Sequence, residues 1–504
     1  MSTGSVLAPG TSLPSAPVIL AALLAALAAT LLLAALLRRR PELFAPLAIF
    51  ALPFRVPISS GGRTVNLLIP LYVVVAAGCL NWLLERRTRP DPERARAPAG
   101  GAPTAEPSAP DARLHDRAAR RSRWLRGAAW LTPEGVTRLL FGAVALYALQ
   151  ALYSPDRGKA AENIVFFYIP FGLLFLLLIR VRWTRLTLMR CLATAVALAV
   201  VFAGVGFVEY YRKTLFLNPK VVAANQYDNY FRVNSLFFDP NIYGRFLALV
   251  MIGVTTCVLW SRGRRDVLVG AALLAWLLCG LVTSFSQSSI AALLLGLALL
   301  AGWRWDARLA LYVSVGVLVL GGALVLLAPA SLHFGLKGSG GSTSNATSGR
   351  TKLISGGLEL FADRPLQGYG SGSFETEYKR HGNASAQNAT SASHTIPITI
   401  AGEQGVIGLA VYVALLVASF AVLFRGAGRS PPRIAIAAAF AALVLHTWAY
   451  ADFLEDPFTW ALLAIGLALA ADPDASGPAP AASASSLGAA HARRAPHVDG
   501  VGAQ

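Results

Sequence analysis

The chain is dominated by apolar runs that recur from one end to the other, separated by clusters of arginine. A helix that crosses a bilayer needs ~20 mainly apolar residues, and runs of roughly 17 to 25 such residues repeat along this sequence. Hydrophobic residues make up 55% of the 504 residues and charged residues only 14%, a balance that excludes a soluble enzyme. The sequence therefore predicts an all-α, polytopic integral membrane protein.

The apolar runs predict 12 or 13 transmembrane helices. Arginines follow every second run, and the positive-inside rule assigns those junctions to the cytoplasm. Prolines at positions 46, 53 and 57 make the second run weak or broken, with a polar turn at Ser59–Gly62 after it. The candidate spans are 18–37, 43–54, 65–84, 135–153, 162–179, 191–208, 241–260, 267–283, 288–303, 309–328, 397–424, 434–450 and 458–471.

Two segments have a composition that does not build a hydrophobic core. Residues 85–127 combine many arginines with Pro, Ala and Gly, and residues 472–504 are rich in Ala, Ser and Pro. We expect the first to be a disordered basic cytoplasmic linker and the second a disordered tail. The remaining units are N-terminal membrane spans at 1–84 and a membrane domain at 128–471.

The net charge of +18 has a topological explanation. Most basic residues lie in short loops at alternate ends of the spans, so the charge sets membrane orientation and we expect no nucleic-acid partner. The cysteines lie within apolar runs, where thiols behave as small hydrophobic groups, and neither a disulfide framework nor a metal site is expected. They are Cys79, Cys191, Cys257 and Cys279.

The predicted orientation places two long loops outside the cytoplasm, at 209–240 and 329–396. These loops hold most of the polar residues that are not topology signals. A transporter would carry ionisable residues near the middle of its spans, and these spans have almost none. Chemistry is therefore expected in the loops, although a flippase or exporter stays as an alternative.

The first loop ends in Asp239-Pro240-Asn241, a pattern typical of a capped helix start. Capping does not explain Arg232, which precedes the helix start. It also does not explain Arg245, which would lie one turn inside an apolar span. For Arg245, the alternatives are snorkelling, a structural ion pair and contact with a ligand.

The second loop contains Leu353, Ile354, Leu358 and Phe361 at near-helical spacing. The spacing predicts a short amphipathic helix on the outer leaflet or on the protein, with Arg350 in its first turn. Backbone N–H groups and a guanidinium there would bind phosphate; the alternative is an arginine that faces lipid headgroups.

A glycine-rich segment follows at Gly368–Phe374. It lacks a Walker lysine and a preceding buried strand, so it is not expected to bind a nucleotide. Gly370 and Gly372 would instead let the backbone pack closely against a helix or beside an anionic ligand.

His394 lies just before Pro397, a residue suited to a helix start. The positive end of a helix dipole disfavours an imidazolium there, which would keep the ring neutral and able to accept a proton. Glu403, which lies farther along the same helix, would cap the helix or orient a neighbouring group.

Taken together, these features resemble the bacterial O-antigen ligase and O-antigen polymerase superfamily over about residues 200–425. The chain departs from the family pattern at Thr395, where Asn is usual, and at Ser286-Gln287, where Ser-Arg is frequent. The resemblance rests on Arg232 followed by Phe238–Asn241, on Arg350, on the Pro-Leu-x-Gly-Tyr-Gly-x-Gly-x-Phe segment at Pro365–Phe374, and on His394 followed by Glu403–Gly408.

The resemblance implies transfer of a glycan from an undecaprenyl-diphosphate-type carrier to an acceptor hydroxyl, on the extracytoplasmic face of a bacterial plasma membrane. It implies Arg232, Arg350 and His394 as catalytic residues, in a reaction that inverts the sugar and needs no cofactor or metal. Further contacts to substrate would come from Arg245, Asn241, Gly370, Gly372 and Glu403.

The implied partners are the lipid-linked glycan donor, membrane lipids and an acceptor that is a glycan, a lipid or a protein. Two alternatives stay open beside the flippase. One is a polymerase, whose acceptor is another lipid-linked glycan, and the other is a non-catalytic partner in envelope assembly.

Overall fold

A computed structural model describes most of the membrane-embedded chain. The predicted span at 309–328, His394, nearly all of the predicted linker and the tail beyond residue 472 lie outside the described residues. The described ranges are 16–60, 63–88, 129–217, 231–305, 343–382, 393, 395–450 and 452–472.

Twelve of the thirteen predicted spans coincide with helical segments, and the remaining one is 309–328. Eight stretches among the described residues are long and apolar enough to cross a membrane, and two shorter apolar ones are Pro41–Ala51 and Pro457–Ala471. The protein is therefore an all-α polytopic membrane protein. The helices are α1 Ala16–Arg39, α2 Phe44–Ala51, α3 Ile69–Thr88, α4 Pro133–Ala151, α5 Arg157–Asn163, α6 Ile169–Leu178, α7 Arg185–Arg212, α8 Pro240–Trp260, α9 Arg264–Thr283, α10 Gln287–Arg304, α11 Thr343–Asp363, α12 Phe374–Arg380, α13 Ile396–Phe424, α14 Pro431–Ala449 and α15 Pro457–Ala471.

One antiparallel hairpin accompanies the helices. Strand β1, Val56–Ser60, pairs with strand β2, Arg63–Leu67, from Val56 opposite Leu67 to Ser60 opposite Arg63. Ser59 and Ser60, which were predicted to belong to a polar turn, are thus the last residues of β1. Val56, Ile58 and Val65 favour strands.

The helix α8 forms the centre of the bundle. It packs against α7, α9, α10 and α14. Of the most apolar 18-residue stretch of α8, 67% is buried inside the protein. The corresponding stretch of α9, on the periphery, is only 22% buried. Tyr243 and Leu247 are fully buried between these helices. A polar side chain on α8 therefore needs a partner within the protein.

A π-helical turn at Ile164–Tyr168 joins α5 to α6. Pro170 has no N–H to donate back to the carbonyl of Phe166, and that carbonyl instead accepts a hydrogen bond of 2.6 Å from the Tyr72 hydroxyl. This irregular turn places Asn163 and Tyr168 inside the bundle, next to Tyr147 of α4.

Helix α11 begins earlier than the sequence pattern predicts. It starts at Thr343, so Arg350 lies at the end of its second turn, and the prediction that Arg350 would occupy the first turn was wrong. The buried face of α11 also differs in part from the predicted apolar face, because Leu353 and Leu360 are buried while Leu358 is half exposed. The helix packs on α13, which agrees with contact to the protein.

The connections define one end of the bundle, here called the loop end. The C-terminal ends of α7, α9 and α14 meet the N-terminal ends of α8, α10 and α15 there. The arginines that predicted cytoplasmic junctions lie at the opposite ends of these helices. All of the candidate site residues with described side chains lie near the loop end.

Candidate functional site

The start of α8 forms the first part of the site. Asp239 caps the helix by accepting the N–H of Asn241 at 2.7 Å, with Pro240 at the first helical position, which confirms the predicted helix start. The Arg232 guanidinium donates through Nη2 to Asn241 Oδ1 at 3.2 Å and through Nε to the carbonyl of Ser284 at 3.2 Å. Arg232 and Asn241 are therefore in direct contact.

A chain of polar side chains continues from Asn241 into the bundle. The Ser286 hydroxyl donates to Asn241 Oδ1 at 2.9 Å and lies 2.7 Å from the Ser289 hydroxyl. His446 Nε2 lies 3.1 Å from Ser289 Oγ and 3.2 Å from Ser288 Oγ. His446 is fully buried, so its ring links α14 to α10. The orientation of Arg232 is thus coupled to three further helices.

The Arg245 side chain forms a buried ion pair. Its Nη2 lies 2.7 Å from Asp456 Oδ2, and only 2% and 1% of the two side chains are exposed. Among the alternatives from the sequence, this geometry favours the structural pair and excludes snorkelling. Asp456 also caps α15 by accepting the N–H of Phe458 at 2.9 Å. Burial raises the pKa of the Asp456 carboxyl, while Arg245 and Arg55 act to lower it.

These four groups, Arg232, Asn241, Arg245 and Asp456, form what we call the arginine cluster. Arg245 pairs with Asp456, Arg55 acts on the same carboxylate, and Asp239 adds a second carboxylate at the start of α8. Arg232 and Asn241 are partly exposed, whereas Arg245 and Asp456 are buried, so Arg232 is the accessible charged group of the cluster. An anion that approaches from the loop end would therefore meet Arg232 first.

The glycine segment folds back onto α13. Gly370 N–H donates to the carbonyl of Glu403 at 2.7 Å, while Gly372 N–H and Phe374 N–H donate to the Glu403 carboxylate at 2.8 and 3.0 Å. A Cβ atom at Gly370, where φ is 102°, would lie 2.6 Å from the Cα of Ser154. The segment therefore packs tightly against helices, one of the two predicted alternatives, and Glu403 anchors it.

A cavity of about 90 Å³ opens between this segment, the start of α13 and the π-helical turn. Gly372 and Glu403 line it, so both predicted residues face the same space. Their polar neighbours were not identified from the sequence. They are Lys159, Asn163, Asp452 and Glu455.

The Asp452–Asp456 loop separates the cavity from the arginine cluster. Glu455 faces the cavity and accepts the Asn163 amide at 2.7 Å, whereas the next residue, Asp456, faces Arg245. Burial raises the pKa of the Glu455 carboxyl to about 7, with Lys159 acting to lower it and Asp452 to raise it. One loop thus contributes a carboxyl group to each of two adjoining polar regions.

A signal for this loop was present in the sequence. Asp456-Pro457 repeats the helix start of Asp239-Pro240, and Asp452, Glu455 and Asp456 place three carboxyl groups between two apolar runs. His446 carried no comparable signal, because it occurs singly in an apolar helical pattern. Lys159 carried none either, because it lies among the other charged residues of a short polar segment at 156–162.

A separate polar group lies on the second loop. The Tyr369 hydroxyl donates to Asp363 at 2.6 Å, and His381 Nε2 lies 3.3 Å from the same carboxylate. The pKa of His381 is raised, first by its hydrogen bond to the backbone carbonyl of Glu377 and further by Asp363. His381 is thus held by residues of its own segment.

Two predicted catalytic residues are not defined at the side-chain level. For Arg350 the structure gives only a backbone position in α11, and His394 lies outside the described residues, directly before Thr395 at the cap of α13. Their roles stay predictions.

Residues 271–413 match the family model described as O-antigen ligase. This range includes α9 to the first half of α13, with the glycine segment, Arg350, His394 and Glu403, and leaves out Arg232, Asn241 and Arg245. No curated protein matches the chain.

Proposed function

We propose that this protein, which is related to the O-antigen ligase superfamily, is a membrane glycosyltransferase that uses a polyprenyl-diphosphate-linked glycan as donor. In the proposed reaction an acceptor hydroxyl attacks the anomeric carbon. The C–O bond to the lipid diphosphate breaks, the lipid diphosphate leaves with the electron pair, and the acceptor proton passes to His394. Attack from the face opposite the leaving group inverts the anomeric centre.

The observation that carries this proposal is the anchored guanidinium of Arg232 at the loop end. It is fixed by Asn241 and the Ser284 carbonyl before any ligand arrives, and preorganised donors stabilise developing charge without a reorganisation cost. A departing diphosphate gains negative charge as the glycosidic bond breaks. Arg232 and Arg350 would stabilise that charge, because each guanidinium can donate two parallel hydrogen bonds to phosphate oxygens.

Arg245 has a different place in this proposal. Because it is buried and paired with Asp456, we assign it to positioning the start of α8. Gly370 and Glu403 likewise act by holding the glycine segment against α13.

The test is glycan transfer by the purified full-length protein in nanodiscs. An undecaprenyl-diphosphate glycan would serve as donor and an envelope extract of the source strain as acceptor, with EDTA present throughout. We expect transfer with EDTA, and a fall on the order of 10²- to 10⁴-fold in His394→Ala with undecaprenyl diphosphate still bound.

The matched control is His381→Ala, since His381 lies in the same loop. Loss of activity on chelation would reject the metal-independent reaction, and full activity in His394→Ala would remove that residue as the base. Elongation of the lipid-linked glycan when no extract is added would identify a polymerase instead of a ligase.

The proposed active face is the extracytoplasmic one, in a bacterial plasma membrane. Cysteine introduced at Lys379, which is exposed on α12 near the loop end, should react with an impermeant maleimide in intact cells. Cysteine at Arg264, at the opposite end of the bundle, should react only after lysis. The reverse pattern would place the site in the cytoplasm and reject a lipid-linked donor presented outside.

A further inference from the structure

The Ser286 hydroxyl belongs to the polar chain behind Arg232, and the proposed transfer gives it no role. It is fully buried and lies 2.9 Å from Asn241 Oδ1 and 2.7 Å from the Ser289 hydroxyl. It also accepts the N–H of Ser289 at 3.3 Å and so caps α10. Capping accounts for this last contact but not for the contact with Asn241.

The contact with Arg232 identifies which end of the Asn241 amide faces Ser286. A guanidinium can only donate, so the Asn241 atom that lies 3.2 Å from Arg232 Nη2 has to be the oxygen. This oxygen accepts from Arg232 on one side and from Ser286 on the other, which uses both of its lone pairs. The Ser286 hydroxyl therefore opposes a rotation of the amide that would turn its two N–H groups toward the guanidinium.

The hydrogen bonds of this chain run in one direction. Asn241 Oδ1 carries no hydrogen, so the Ser286 hydroxyl must donate to it. Ser286 has no second hydroxyl hydrogen, so Ser289 donates in the contact between the two serines. Ser289 then accepts from His446, which places a hydrogen on Nε2 of that ring. The buried end of the chain thus sets the direction in which Ser286 donates.

We infer that Ser286 is a positioning residue of the donor site, whose hydroxyl keeps the Asn241 oxygen directed at Arg232 and so holds the guanidinium ready for an anion. The inference rests on the proposed function, in which Arg232 binds the diphosphate. Ser286, Ser289 and His446 are fully buried, whereas Arg232 and Asn241 are partly exposed. The buried chain would therefore act on a ligand only through the side chains in front of it.

The experiment is a double-mutant cycle between Ser286 and Arg232, in the full-length protein in nanodiscs. The Kd for undecaprenyl diphosphate and the rate of glycan transfer are measured for the wild type, Ser286→Ala, Arg232→Ala and the double variant. Ser286→Thr keeps a hydroxyl at the same position. Thr132→Ala removes a cap from α4 at the opposite end of the bundle and is the matched control for lost helix capping.

We expect the Kd of Ser286→Ala to rise about three- to ten-fold, the size of one hydrogen bond, and the transfer rate to fall to a similar degree. Ser286→Thr should restore both values to within about two-fold of the wild type. In the Arg232→Ala background, Ser286→Ala should change neither value by more than about two-fold, because its effect passes through Arg232. Thr132→Ala should lose thermal stability but bind undecaprenyl diphosphate like the wild type.

Three results would overturn the inference. The first is normal binding and transfer by Ser286→Ala. The second is an equal effect of Ser286→Ala with and without Arg232, which would show that Ser286 acts on the fold alone. The third is a folded Ser286→Thr variant, or a Thr132→Ala variant, that binds as poorly as Ser286→Ala. Failure of the wild type to bind undecaprenyl diphosphate would instead reject the proposed function, and is therefore distinguishable.

Discussion

The arginine cluster and the acid-lined cavity adjoin each other at the loop end, yet they satisfy their charges in opposite ways. In the cluster the buried guanidinium, Arg245, is paired with Asp456, and the partly exposed one, Arg232, donates to Asn241 Oδ1 and to the carbonyl of Ser284. In the cavity carboxyl groups outnumber the single cation, Lys159. The two regions thus differ in their balance of basic and acidic groups.

Charge is what differs most between the two regions. The separation rests on the short loop that carries Glu455 and Asp456, because the two side chains face opposite ways. Substitutions that act on only one region therefore test the comparison.

The largest effect is expected for Arg232→Ala. Arg232 is a preorganised hydrogen-bond donor that would stabilise the developing negative charge. Its removal should lower the transfer rate on the order of 10³-fold, without loss of membrane insertion. Transfer rates in nanodiscs and the amount of protein in purified membranes measure the two properties. Arg380→Ala, which removes an exposed arginine of α12, is the control. Normal complementation of a deletion strain by Arg232→Ala would remove the arginine cluster from the donor site.

The next largest effect is expected on stability, for Asp456→Asn. This change keeps the oxygen that caps α15 but leaves Arg245 buried and unpaired, a defect that costs about 3–5 kcal/mol. Thermal unfolding in nanodiscs should show a clear loss. The double variant Arg245→Met/Asp456→Asn should recover most of it, since the uncompensated charge is gone. A double variant as unstable as the single one would show that Arg245 has other essential partners.

A smaller effect is expected for Arg350→Lys. An ammonium group keeps the charge but loses the planar fork that binds two phosphate oxygens, so we expect transfer to fall about ten-fold. The same exchange at Arg364, which lies over the Tyr369 ring on the second loop, is the matched control. Equal rates in the two variants would reassign Arg350 to headgroup contact.

The smallest effect is expected from the pH dependence of Glu455. Its pKa is raised from an ordinary value near 4.5 to about 7, so folding favours its protonated form. The associated stability is complete below pH ~4.5 and is lost as the pH rises through ~7. The melting temperature of the wild type should therefore fall more steeply between pH 5 and 8 than that of Glu455→Gln. Parallel curves would show that Glu455 is not held in a desolvated site.

The prediction of the fold from sequence was largely successful because membrane spans are encoded locally. Twelve of the predicted spans coincide with helical segments, since a long apolar run has few other stable conformations in a bilayer. The hairpin at Val56–Leu67 was missed because two five-residue strands give little signal beside long helices. The start of α11 was missed because Gly, Ser, Thr and Asn before Arg350 are typical of a loop.

The sequence alone determined the helices, the start of α8 at Asp239 and the positions of Arg232, Asn241 and the glycine segment, because local patterns encode helix starts and tight turns. Only the tertiary structure decided which polar groups meet. Arg245 pairs with Asp456 across 211 positions of the chain, and Asn163 meets Glu455 across 292. A single sequence carries no record of such long-range pairing, whereas packing in a bundle brings distant helix ends together and buried charges must then find partners.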